Sequence, residues 1–410
     1  MDNLQALFAE KLVMDDREPV ATVQIPGLEG DYAVYAPKAA LWKQLLVLVL
    51  LQTALQVIFA VVNYELIVKK RKTTLAYLVG YGFVIPLSIY MPYELIELLD
   101  VQNKCIRLAL SSLATVVAFR TIEAMYGTSP EVVESSLGTY SIYYTSTLHF
   151  DWNPKTKTRR RITAAELVAT ISKILLHFHL VSLALSIEMH FEYQPFPSSV
   201  QLEGFTLSWD LLSVPHILNT YILAGLTYLV LCTGFELSAF GENAKGIYTK
   251  PIFSNPLFSS RSPSEFWGQK WNLMIHRILK HGVYLPARQL FSREIAIALT
   301  FVASGLLHEY SWSLVFYHHT SMRDDTGVCP ECFTPYPLKL TAFFLWNGVV
   351  MLLERPVGRL FWFTKSWPTP VVSTLMLLSV LPVSHWYSGD WAMGGYFSDF
   401  SVGLWHIQKL

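Results

Sequence analysis

The chain has 410 residues; 52% are hydrophobic, only 15% are charged, and the formal net charge is zero. A soluble domain carries roughly 25% charged residues, so the composition argues against a water-facing protein, and an aromatic share of 14% suits membrane–water interfaces. A neutral chain has no global field to gather nucleic acid, and four cysteines are too few for a disulfide framework.

The N-terminal stretch MDNLQALFAEKLVMDDREP lacks a basic region followed by an apolar core, so it does not read as a cleavable signal peptide. Insertion is expected to rest on internal helices. Residues 1–40 are expected to be a non-cytosolic or interfacial segment, and 41–410 a single membrane domain. Crossing a ~30 Å hydrocarbon core takes ~20 apolar residues. Spans are predicted near 42–66, 74–91, 105–126, 164–189, 210–236, 293–317, 338–353, 370–388 and 391–407. The last two are short enough to be one broken helix. The predicted fold class is therefore an all-α integral membrane protein, a polytopic bundle of about eight to nine transmembrane helices. The third span holds Arg107, Arg120 and Glu123 and must face protein or water on one side.

Loop charges alternate along the chain. KKRK (69–72), KTKTRRR (155–161) and the later Lys245, Lys250 and Arg261 are basic. PYELIELLD (92–100) and EYQPFPSSVQLEGF (192–205) are acidic. By the positive-inside rule the basic loops are cytosolic, which sets the N-terminus outside the cytosol.

The sixth span is apolar except for one stripe: Thr300, Ser304, His308 and Ser311, spaced to share a helical face. Gly305 leaves room beside it. His308 lies roughly 20 Å along the helix from the cytosolic end. An ionisable group at that depth is a functional candidate by default, and a structural histidine bonded to a neighbouring helix is the alternative. His177, His179, His190 and His216 lack such a stripe and are read as structural. Glu309, turned ~100° from His308, is expected to pair with a basic group or a hydroxyl.

Before this span comes SPSEFWGQKWNLMIHRILKHGVYLPAR (262–288). As one helix it sets Trp267, Trp271, Met274 and Ile278 on one face, and Gln269, Asn272, His276 and Lys280 on another. It reads as an interfacial amphipathic helix with its aromatics against the membrane. Its basic side chains, Lys270, Arg277, Lys280 and Arg288, suit a phosphorylated cofactor or anionic lipid.

Together, EFWGQKWNLMIHR and ASGLLHEY resemble the paired motifs of the wax synthase branch of the membrane-bound O-acyltransferases. The resemblance is concentrated in 262–320, and Gln269 and Lys270 stand where plant members usually carry two arginines. It implies a bundle enclosing a catalytic chamber and transfer of a fatty acyl group from acyl-CoA to a long-chain alcohol, giving a wax ester. It implies His308 and Asn272 as catalytic residues, and Trp267, Gln269, Lys270, Trp271, His276, Arg277, Ser304 and Ser311 as substrate- or CoA-binding. His308 would be general base and Asn272 an oxyanion donor. Acyl-CoA would be a co-substrate, with no permanently bound cofactor and no metal. The implied partners are acyl-CoA, a lipid alcohol and membrane lipids, not nucleic acid. Acyl-CoA chemistry on a polytopic chain suggests the endoplasmic reticulum membrane. A sterol, diacylglycerol or terpenoid acceptor, acetyl transfer included, is the alternative within this chemistry. A transporter using His308 as a proton relay is the alternative outside it, although no symmetry between two halves is visible. Cys329 and Cys332 have zinc half-site spacing, but they are read first as free thiols, with a local disulfide as the alternative. No Gly-rich phosphate loop, HExxH or GxSxG occurs.

Overall fold

A computed structural model describes residues 2–9, 12, 18–153, 155–156, 158–190, 204–205, 214–327, 329–330, 332–360 and 366–410. The chain is mostly helical. The long helices are α1 (Ala39–Val68), α2 (Thr74–Leu99), α3 (Lys104–Tyr126), α4 (Ala164–His190) and α5 (Val214–Ala244). After a connecting segment containing α6 (Leu273–Leu279) come α7 (Arg293–Val315) and α8 (Lys339–Leu360), then α9 (Thr369–Leu378), α10 (Ser384–Met393) and α11 (Tyr396–Ser401).

Among the described residues, α1 to α5 are long and apolar enough to cross a membrane, and a bent pair, Thr369–Leu378 with Leu381–Met393, makes six. That is fewer than the eight to nine expected. The helices α7 and α8 stand where spans were predicted, but their polar and charged residues lower their hydropathy. The expected span at 391–407 is not one helix. It breaks at Gly394 and Gly395, where Gly395 has φ +65°, a conformation glycine adopts without a Cβ penalty.

The all-α expectation holds for the membrane portion only. Strands β1 (Ala21–Gln24), β2 (Asp31–Tyr35) and β3 (His406–Lys409) form one antiparallel sheet in that order. Tyr35 pairs with His406 and Tyr32 with Lys409, so the two ends of the chain meet.

Helix α3 is the central post: 67% of its apolar window is buried. The Asn103 side chain caps it, accepting from the Cys105 amide at 2.9 Å, which satisfies an amide with no intrahelical partner. Its charges do face protein. Arg107 donates to the carbonyls of Val101 and Tyr317 at 2.8 and 2.7 Å. Arg120 pairs with Glu123 at 3.0 Å, and both meet the Tyr143 hydroxyl.

Ion pairs between connecting segments sort into two groups. Arg71–Glu134 at 2.5 Å, Arg159–Glu242 at 3.5 Å and Lys250–Asp151 at 3.0 Å lie at the end that the basic loops assign to the cytosol. Lys104–Asp399 at 3.7 Å, Lys339–Asp390 at 3.0 Å and His319–Glu97 at 3.0 Å lie at the opposite end. Cys329 and Cys332, also at the opposite end, are joined in a disulfide, so neither a zinc half-site nor free thiols are present there.

Candidate active site

Helix α7 begins at Ser292, whose hydroxyl accepts from the Ile295 amide. The polar stripe then resolves into separate tasks. Thr300 donates to the carbonyl of Ala296. Ser311 donates to Leu307 and, across the interface, to the Ser111 hydroxyl of α3 at 3.2 Å. Ser304 is buried and offers its carbonyl to His308 Nδ1 at 2.7 Å. A carbonyl can only accept, so Nδ1 carries the proton and Nε2 keeps its lone pair. His308 is half-buried: packed on several sides, yet not sealed.

Helix α8 packs beside His308 through its neighbours Gly305 and Glu309 and through the histidine ring itself. A Cβ on Gly305 would stand 2.5 Å from the Thr341 Cα, so glycine is what lets the two backbones meet. Glu309 accepts from the Thr341 amide at 2.9 Å, rather than pairing with a basic group or hydroxyl as expected. That amide belongs to the first turn of α8, where N–H groups lack intrahelical acceptors and a carboxylate is favoured by the helix dipole. One turn on, Phe344 sets its ring 4.3 Å from the His308 ring, with Tyr387 at 6.0 Å.

The 262–288 segment is not one helix. It forms a wide π-helical turn over Phe266–Lys270, an extended Trp271, and then α6. Asn272 stands at the break with φ 38° and ψ 61°, a left-handed conformation that asparagine tolerates better than most residues. Its Oδ1 accepts from the Ile275 amide at 3.3 Å and caps α6. The break turns the aromatic face inward, correcting the expectation that it meets lipid. Trp271 stacks on Phe266 at 5.3 Å. Met274 and Ile278 are buried with Val116 of α3. Trp267 packs on Phe301 at 6.1 Å and Phe344 at 5.8 Å. Phe344 therefore bridges the tryptophan of the first motif to the histidine of the second. Among the described residues Asn272 and His308 do not hydrogen-bond each other.

The basic residues divide. Lys270 is held by Glu265 at 2.7 Å and by both oxygens of Ser259, so its charge is already matched. Gln269 is exposed. Arg277 is half-buried, and among the described residues no carboxylate pairs with it; burial lowers its pKa. Burial, then Lys280, Arg277 and His281, push the His276 imidazole down to about 4. Burial, then Arg277, Arg120, Lys250 and His281, push His149 down to about 3. These groups form a basic cluster in which Arg120 and Lys250 are matched by Glu123 and Asp151, at the end that the basic loops assign to the cytosol. His149, Phe344 and Tyr387 were not singled out from sequence: an isolated histidine in a loop, or an aromatic in an apolar run, carries no periodic signal. Of the other histidines, His179 bonds the Leu175 carbonyl and His177 bonds Glu236. The side chains of His190 and His216 lie outside the described residues.

Residues 249–326 match the family described as membrane bound O-acyl transferase. A probable long-chain-alcohol O-fatty-acyltransferase of Arabidopsis thaliana, numbered 3, is 31% identical over 136 residues, covering 31% of this chain and 35% of the relative. An acyl-CoA–sterol O-acyltransferase of the same plant is 31% identical over 132 residues, 30% and 34% of the two chains. A second probable long-chain-alcohol O-fatty-acyltransferase, numbered 9, is 28% identical over 209 residues, 48% and 56%. The chain thus spans between a third and just over half of the length of these relatives. The stretch that holds both motifs is the one that matches the membrane bound O-acyl transferase family. Its resemblance is to the wax synthase branch of that superfamily, as the paired motifs indicate.

Proposed function

We propose that the chain is an acyl-CoA-dependent O-acyltransferase of the membrane, transferring a fatty acyl group to a long-chain alcohol with His308 as general base. The observation that carries this reading is the His308–Ser304 hydrogen bond at 2.7 Å: it holds the proton on Nδ1 and leaves Nε2 to accept one. In the proposed step Nε2 takes the proton of the alcohol as its oxygen attacks the thioester carbonyl. The tetrahedral oxyanion collapses, the C–S bond breaks, and the imidazolium returns the proton to the departing CoA thiolate. Asn272 Oδ1 is occupied as a helix cap, which leaves the Nδ2 hydrogens as donors to the oxyanion. The step requires no resident cofactor. An enclosed site favours it by keeping water from the thioester.

Arg277, with His276 and His149 beside it, is the proposed seat of CoA phosphates. An unpaired, half-buried guanidinium is suited to bidentate phosphate binding, whereas Lys270 is already neutralised. Trp267, Trp271, Ser304 and Ser311 are proposed to shape the chamber by packing, and Gln269 to lie at its cytosolic mouth. The endoplasmic reticulum membrane is the proposed location.

A sterol acceptor is the second reading, favoured by the sterol O-acyltransferase relative at the same identity. Purified protein given several acyl-CoAs and a panel of fatty alcohols, sterols and diacylglycerol separates the two. Wax ester with release of free CoA is expected. Steryl ester alone supports the second reading, and no ester from any acceptor contradicts both.

A further inference from the structure

We propose that His177, Cys232 and Glu236 form a site for one zinc ion, clamping α4 to α5 within the membrane and lying apart from His308. The three side chains each bring a ligand atom, and those atoms lie within 4.8 Å of one another. His177 Nδ1 and Glu236 Oε2 are 2.7 Å apart. Cys232 is a buried free thiol, one helical turn before Glu236 on the same face of α5. Tyr228, a further turn back, sets its ring edge-on to His177 at 6.1 Å.

A histidine–glutamate hydrogen bond needs no thiol beside it, and a thiol packed among apolar residues needs neither partner. The coincidence of all three is a borderline-soft N, S and O donor set, the kind that zinc takes. Zinc bonds of about 2.0–2.3 Å require the ligand atoms to draw in, which side-chain rotation on two neighbouring helices allows. Charge supports the assignment. A carboxylate on a membrane-spanning helix is costly unless its charge is matched. A zinc ion held by one thiolate, one carboxylate and one neutral imidazole forms a group of zero net charge. On binding, Cys232 releases its proton, and the His177 proton moves to Nε2 so that Nδ1 can coordinate. The fourth tetrahedral position is left for water.

The test uses the full chain in lipid nanodiscs, purified without a polyhistidine tag, stripped with a chelator and then titrated with zinc or cobalt(II). About one equivalent of zinc should be retained, and the cobalt form should show a thiolate-to-cobalt charge-transfer band. Cys232→Ser should abolish that band, and Cys232→Ser and Glu236→Gln should each weaken zinc binding by at least about 10-fold. Failure to retain zinc overturns the proposal. A cobalt spectrum without the thiolate band also overturns it, and this readout needs only the unaltered chain, so it stands even if a variant misfolds. Unchanged stoichiometry and affinity in both variants would place the metal elsewhere and overturn it equally.

Discussion

Gly305 and Thr341 meet so closely that a Cβ on the glycine would stand 2.5 Å from the threonine Cα. The obstacle is backbone, so no rotamer change relieves it. Gly305→Ala is expected to push α8 away from α7 and to cost about 1–3 kcal/mol, outweighing the better helix propensity of alanine. The same displacement carries Phe344 off the His308 ring. A thermal melt in detergent should show a lowered midpoint together with reduced transfer. An unchanged or raised midpoint would contradict the close packing.

Asn272 combines a left-handed backbone, a helix cap and, in the proposal, an oxyanion donor. Three substitutions separate these. Asn272→Asp keeps a capping oxygen but loses the amide donor; it should retain stability and lose transfer by about 10²–10³-fold. Asn272→Gly suits the left-handed backbone and should also melt near the parent while remaining inactive. Asn272→Ala should lose about 1 kcal/mol of stability through the cap in addition to activity. Comparable turnover in the aspartate variant and the parent would remove Asn272 from the chemistry and leave it a cap.

The basic cluster predicts acid lability. Unfolded, each imidazole takes up a proton near pH 6.5. Folded, His276 does so at about 4 and His149 at about 3. Below pH 6.5 the unfolded chain therefore binds more protons, and stability falls as pH drops. The contribution is complete above about 6.5 and lost by about 4 for His276 and 3 for His149. Melting midpoints of His149→Asn across pH 7 to 4 should decline less steeply than those of the parent. Parallel curves would contradict the assignment.

The parts of the fold that sequence revealed were those with a periodic or charge signature. The apolar runs located α1 to α5, and the Thr300–Ser304–His308–Ser311 spacing marked one polar face of α7 as the candidate site before any neighbour was known. The segment at 262–288 went astray for a local reason. Its 3.6-residue pattern is real, but Asn272 interrupts it with a left-handed backbone that periodicity cannot register. Phe344 and Glu309 could not be assigned because their partners, His308 and the Thr341 amide, are supplied by helix packing and not by spacing. The three-stranded sheet joins residues from opposite ends of the chain, and its short strands leave little alternation to read.

The two groups of ion pairs predict sidedness. A cysteine placed at Thr156 should react with an impermeant maleimide in sealed, cytosolic-side-out vesicles of a chain whose native cysteines do not label. One placed at Thr326, near the Cys329–Cys332 disulfide, should react only after the membrane is permeabilised. Equal labelling of both before permeabilisation would contradict the topology.

The central claim is that the Nε2 lone pair of His308 accepts the proton of the acceptor alcohol. It is tested most directly by single-turnover transfer from labelled acyl-CoA to a fatty alcohol, comparing the parent with His308→Ala at matched protein fold and acyl-CoA occupancy. A loss of about 10²–10⁴-fold in the rate of ester formation is expected, with acyl-CoA still bound. Ester formed by His308→Ala at the parental rate would contradict the account.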